Sequence, residues 1–173
     1  MDMKGKLLLT RIDNRLVHGQ VGVTWTSTLG ANVIVVADDQ TARDTLMQKL
    51  MASTAKSTDV EIRFYPIAKV ADILPHASAE QWIFLVVRTP EDAARLQRSG
   101  VPMKSVNVGN MHYSRGKKPL NKKVYVDAAD IQALRELLEA GVELYIQDVP
   151  GAVREDITER MLAEVRFEEG ATR

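Results

Sequence analysis

The sequence predicts an α/β fold: a single-domain, open, mainly parallel twisted sheet of about seven strands with helices on both faces. Three observations carry that expectation. Short β-branched runs alternate with longer helical patterns along the whole chain, the signature of βα units feeding a parallel sheet. The strand-like runs lack polar alternation, as strands do when helices cover both faces. A chain of 173 residues that is 45% hydrophobic can bury one sizeable core, and no Pro/Gly/Ser-rich tract divides it. The expected domain is 1–173, with a core at about 5–165.

In chain order, LLLTR (7–11) reads as the first strand, and a helix begins near Gly19 or Gln20. NVIVVA is followed by the helical pattern TARDTLMQKLMAST, VEIRFY by PIAKVADILPHA, and WIFLVV by PEDAARLQRSG. Pro66 and Pro90 suit a helical first turn, Thr89 an N-cap, and Gly100 and Gly141 helix ends. SVNVGN and KKVYVD read as strands, AADIQALRELLEAG as a helix, ELYIQDV as a strand and EDITERMLAEV as a final helix. Met47 and Met51, four apart, are expected to face the core, as is Trp25 unless it meets a partner.

Composition narrows the function classes. Twenty-three basic residues balance 23 acidic ones, which argues against bulk binding of nucleic acid or an anionic membrane. There is no cysteine, so disulfides, thiolate catalysis and cysteine-held metal clusters are excluded. The start MDMKGKLLL reaches charged residues too soon for a signal peptide, and the longest apolar run, IFLVV, cannot span a bilayer.

RIDNRLVHGQ (11–20) crowds charge into the junction between the first strand and first helix, where open α/β sheets place their chemistry. A histidine there can be a general base, a metal ligand, a phosphate binder or a packed loop residue. Unpaired N–H groups at a helix start favour an anion beside His18, and Gly19 lets that anion approach the backbone. Arg15 and Arg11 can pair with phosphate oxygens through a guanidinium fork, and Asp13 can orient an arginine or accept from the imidazole. The plainer reading is a structural histidine, solvated arginines and a turn at Asp13-Asn14. The sequence contains no P-loop, no dinucleotide fingerprint, no nucleophile elbow and no HExxH helix.

RIDNRLVHGQV, with NVGNMH and KKPLNKKVYVDAAD downstream, resembles the IIB components of the mannose/fructose/sorbose family of bacterial sugar phosphotransferase systems (PTS). The resemblance covers nearly the whole chain. It implies a cytoplasmic phosphocarrier, peripherally associated with a membrane transporter, that takes a phosphoryl group from a phosphorylated IIA protein. The group then passes to sugar arriving through the IIC/IID components. Carried over by position, His18 is phosphorylated at Nδ1, Arg15 holds the phosphate, and Asp13 and Gln20 are neighbouring motif members. The start at the IIB strand suggests a subunit separate from IIA. The sequence looks most like members acting on N-acetylgalactosamine or galactosamine, with mannose, fructose and sorbose as alternatives. No metal or organic cofactor is expected, and a homo-oligomer stays open. Two rival classes are a module that binds a phosphorylated ligand without covalent transfer, and a metal-assisted hydrolase using His18, Asp13 and Asp38.

Other residues are weighed the same way. Arg11, Gly19, Gln20, Asp38 and His112 are the candidate phosphate- or substrate-binding residues. His112 lines the same cleft or is a loop histidine without chemistry, and Asp38 borders the site or makes a turn. Relatives often have Asn-Asp where Ala37-Asp38 stands here. RGKKPLNKK (115–123) carries five positive charges and no acid; it is a solvated loop, a docking surface for an acidic IIA face, or a cover over the phosphate.

Overall fold

The computed structural model describes residues 3–167. β1 (Lys6–Ile12) leads into α1, a π-helical turn at Gln20–Trp25 that continues as α-helix over Thr26–Leu29. Then follow β2 (Val33–Ala37), α2 (Thr45–Thr54), β3 (Glu61–Tyr65), α3 (Ile67–Ile73), β4 (Trp82–Val87), α4 (Pro90–Arg98) and β5 (Ser105–Val108). The two-residue strands β6 (Lys118–Pro119) and β7 (Tyr125–Val126) precede α5 (Ala128–Glu139), β8 (Glu143–Ile146), β9 (Glu155–Asp156) and α6 (Glu159–Glu164).

The main sheet runs β3-β2-β4-β1-β5-β8-β9, every pair parallel except β9 against β8. β1 is its middle strand. The chain leaves β1 toward β2 on one side and crosses to β5 on the other only after β4. The order therefore reverses at the carboxyl end of β1, which opens a crevice there.

Successive residues of one strand enter opposite cores. Phe84 and Val86 of β4 pack with Val21 and Trp25 of α1 and Met51 of α2. Ile83, Leu85 and Val87 pack on the other face with Val70, Leu96, Leu134 and Leu137 from α3, α4 and α5. Helices on both faces account for strands without polar alternation. Thr89 accepts from the Asp92 N–H with Pro90 in the first turn, and Asp127 and Asp130 form a reciprocal capping box at α5. Such caps contribute about 0.5–2 kcal/mol each.

Some expectations are corrected. Met51 is buried, but Met47 is 40% exposed, because α2 packs only its Met51 edge on the sheet and turns Leu46, Met47 and Leu50 outward. Only Tyr125–Val126 of KKVYVD is a strand, and it pairs with β6 outside the main sheet. The last helix starts at Glu159 under a Thr158 cap, since Glu155–Asp156 is taken up as the antiparallel edge strand β9.

Candidate functional site

Alternation along β1 sends Arg11 and the following Asp13 to the α1 side of the sheet. Arg11 is fully buried, with Trp25 stacked at 5.2 Å from its guanidinium carbon. Its Nε and Nη2 donate to Asp13 Oδ2 at 3.4 and 3.1 Å, while Nη1 donates to Asn107 Oδ1 and, at 3.0 Å, to the Gln147 carbonyl. Gly109 makes room for this fork, because a Cβ there would overlap the guanidinium. Burial pulls the Arg11 pKa below its ordinary value, with Asp13 opposing. Breaking such a buried pair by removing one partner costs about 3–5 kcal/mol.

Asp13 is equally buried, and Arg11 is not its only donor. Its Oδ2 also accepts from Asn110 Nδ2 at 3.1 Å and meets His18 Nε2 at 3.0 Å, and its Oδ1 accepts from the Arg15 N–H at 3.0 Å. Burial by itself would raise the Asp13 pKa. The hydrogen bond to His18, the charge of Arg11 and the Arg15 N–H outweigh it and hold the carboxyl below the usual carboxylate value. An ionised carboxylate only accepts, so His18 must carry its proton on Nε2, which leaves Nδ1 as the nitrogen with a free lone pair. The His18 side chain is 17% exposed above a carboxylate that is fully covered.

The loop between these residues is tied from several directions. Asn14 N–H donates to the Asn110 carbonyl, Asn14 Nδ2 to the Arg88 carbonyl, and the His112 N–H to Asn14 Oδ1. Leu16 has φ +55°, a left-handed conformation for a non-glycine residue, and its N–H donates to the Asp13 carbonyl. That backbone costs about 1–3 kcal/mol. Complete burial of the Leu16 side chain beside Val17 and Trp25 returns a similar amount, roughly 1.5–3 kcal/mol. The Gly22 N–H then bonds the His18 carbonyl, and the wide π turn that follows is a helix irregularity often found at functional sites.

Of the residues singled out from sequence, His18 and Asp13 meet directly. Arg15 stands exposed beside them, with no ion-pair partner among the described residues. Arg11 as a phosphate binder is corrected: it is sealed under Asp13 with its fork engaged, so it positions the site from below. Asp38 is corrected likewise. Its carboxylate accepts both Nε and Nη2 of Arg88 at 3.1 and 3.0 Å and the Thr41 N–H and hydroxyl, and is held below its ordinary pKa against burial. Asp38 therefore serves Arg88, whose Nη1 bonds the Asn14 carbonyl. His112 joins through its backbone, and its side chain is exposed. Gly19 is exposed and a Cβ there would meet nothing within 4 Å, so packing does not require a glycine. The side chain of Gln20 lies outside the described residues. Within the basic segment, Lys117 pairs with Asp127 and Asp130 at the start of α5, and Lys123 pairs with Asp148.

Sequence reasoning missed the roles of Asn14, Arg88, Asn107 and Asn110. One signal was available: Asn107 is a polar residue between two valines of β5, two positions before Gly109.

A family model described as the PTS system sorbose subfamily IIB component matches residues 7–172. The chain is 54% identical over 151 residues to the N-acetylgalactosamine-specific phosphotransferase enzyme IIB component 1 of Escherichia coli K12, covering 87% of this chain and 96% of that one. It is 36% identical over 142 residues to the mannose-specific EIIAB component of the same organism, covering 82% of this chain and 44% of that one. The crystal structure of the E. coli N-acetylgalactosamine-specific IIB component 1 superimposes with a TM-score of 0.86 at 53% identity, over 88% of this chain and 100% of that one.

Proposed function

Because the chain belongs to the sorbose subfamily of PTS IIB components, we propose that His18 Nδ1 accepts a phosphoryl group from a phosphorylated IIA protein and passes it to a sugar. The sugar is imported through IIC/IID membrane components, and N-acetylgalactosamine or galactosamine is favoured by the likeness to the N-acetylgalactosamine-specific relative. The work is done on the cytoplasmic side of the membrane. No described helix is long and apolar enough to cross a bilayer.

One observation carries this reading: the buried Asp13 carboxylate fixes the Nε2–H of a partly exposed imidazole. In the first transfer the Nδ1 lone pair forms a new N–P bond as the donor's bond to phosphorus breaks. The His18 ring keeps its Nε2–H and becomes cationic, and Asp13 balances that charge as a buried carboxylate does beneath a catalytic imidazolium. In the second transfer a sugar hydroxyl attacks phosphorus and the Nδ1–P bond breaks. The ring departs as neutral imidazole, a far better leaving group than imidazolate, and the hydroxyl proton leaves to solvent. Phosphoryl transfer needs positioning and charge stabilisation more than further acid–base help. Arg15 supplies a free guanidinium fork for the oxygens, and the start of α1 adds backbone N–H groups.

The test is incubation with labelled phospho-IIA. One acid-labile, base-stable phosphoryl group is expected per chain, and His18→Ala should lose it completely while remaining folded. Undiminished label on that variant, or label that never survives denaturation, overturns the covalent reading; the second outcome describes a module that only binds phosphorylated ligands.

A further inference from the structure

Beside the His18 network, the same edge of the sheet holds a cleft of about 700 Å³ between residues 120–123 and 146–155. Gly109 and Gln147 line it, so its floor is the back of the Arg11 cradle. Leu120, Val149 and Val153 make apolar walls, and Val153 is 90% exposed. Along the neighbouring segment, Arg115, Lys118 and Lys122 have no carboxylate partner among the described residues, unlike Lys117 and Lys123. Of the acids at the cleft, Asp148 is taken by Lys123, and Glu155 accepts from Asn121.

We infer that this cleft and its unpaired cations are the docking seat for the phosphorylated donor, which would insert an apolar side chain flanked by carboxylates. The inference rests on the phosphocarrier reading and adds where the donor sits. Charge complementarity selects this occupant. Arg115, Lys118 and Lys122 along this rim lack carboxylate partners among the described residues, unlike Arg98, which pairs with Glu91 and Glu136, or Arg154, which pairs with Glu143 and Asp156. The acceptor fits less well, because cytoplasmic loops of membrane proteins carry excess Lys and Arg. An anionic bilayer would satisfy the cations but not a walled apolar cleft, which suits an inserted side chain.

The experiment measures the second-order rate of phosphoryl transfer from purified phospho-IIA to the full chain at several salt concentrations. Labelling by phosphoramidate, a donor too small to need docking, is the control. Exposed charges steer encounter over about 8 Å at physiological ionic strength. Wild-type transfer should therefore slow with salt, and Lys118→Glu/Lys122→Glu should lose roughly tenfold in rate and much of its salt slope. Val153→Asp should lose a comparable factor in rate. All variants should keep their phosphoramidate labelling. Unchanged rates and salt slope in these variants would overturn the docking seat alone. So would a loss confined to the step from His18 to sugar, or reduced binding to vesicles of anionic phospholipid with transfer from IIA intact. A wild-type chain labelled by neither donor overturns the phosphocarrier reading, and the seat with it.

Discussion

Arg11 and Arg15 lie four residues apart around one aspartate, yet the fold treats them oppositely. Arg11 has its fork committed to Asp13, Asn107 and Gln147 and sees no solvent. Arg15 gives only its backbone N–H to Asp13 and leaves its side chain in water. The difference separates two tasks that a phosphoryl carrier must combine. Below the histidine, a desolvated network fixes which ring nitrogen holds the proton. Around it, an open rim keeps donors free for an incoming group. A network already satisfied cannot be recruited by phosphate, and an unpaired surface cation contributes little to folding.

The sharpest way to break this contrast is Asp13→Asn. It leaves the Arg11 charge buried without a counter-ion, so about 3–5 kcal/mol of stability should be lost. The amide no longer demands an Nε2–H, and transfer should fall by roughly 10³–10⁴-fold, as in triads that lose their aspartate. Urea unfolding and phospho-IIA kinetics measure the two. A variant with parental stability would show that the pedestal is not a pedestal. Next comes Gly109→Ala, whose methyl invades the Arg11 fork; overpacking of this kind costs about 1–3 kcal/mol, readable as a shift in the urea midpoint.

Acid should expose the buried half more gently. Asp13 and Asp38 both have folded pKa values below their unfolded value of about 3.9. Their contribution to stability is therefore complete above that value and is lost as pH falls through the folded values. The urea midpoint should drop on going from about pH 5 to pH 3, and less steeply in Asp38→Asn than in the parent. The smallest structural effect belongs to the rim. Arg15→Gln should change stability by less than about 0.5 kcal/mol. It should nevertheless slow transfer by roughly 10²-fold, typical of a lost charge-stabilising donor. Arg15→Gln with parental transfer rates would remove this side chain from the reaction.

Much of the fold was legible because the signals were local. Thr89-Pro90 marks a helix start by its own chemistry, and apolar runs such as WIFLVV announce strands covered on both sides. The loop carrying His18 was legible for a similar reason, as charge concentrated at a strand end. Arg11 was misread because spacing along the chain says nothing about which residues lie beyond a strand's edge. Its partners Asn107 and Gln147 come from β5 and the end of β8, 96 and 136 residues away, and reach it only because the strand order is β1-β5-β8. The Arg88–Asp38 brace is hidden for the same reason, since β2 and β4 become neighbours only in the finished sheet. Thr158 shows the local limit: a cap fixes where α6 starts, yet nothing nearby indicates that Glu155–Asp156 will complete a sheet edge.

Leu16 gives the histidine loop an unusual standing. Its left-handed backbone is held by a side chain sunk in the same apolar cluster as Phe84 and Val86, so the bend persists only while that cluster is intact. The loop therefore has no inexpensive local opening of its own: releasing it means withdrawing a leucine from the core. Amide protons at this bend should exchange with solvent on the timescale of the surrounding sheet rather than of a surface loop. In the proposed relay, His18 would meet each partner on a fixed mount, and adaptation would fall to the partners.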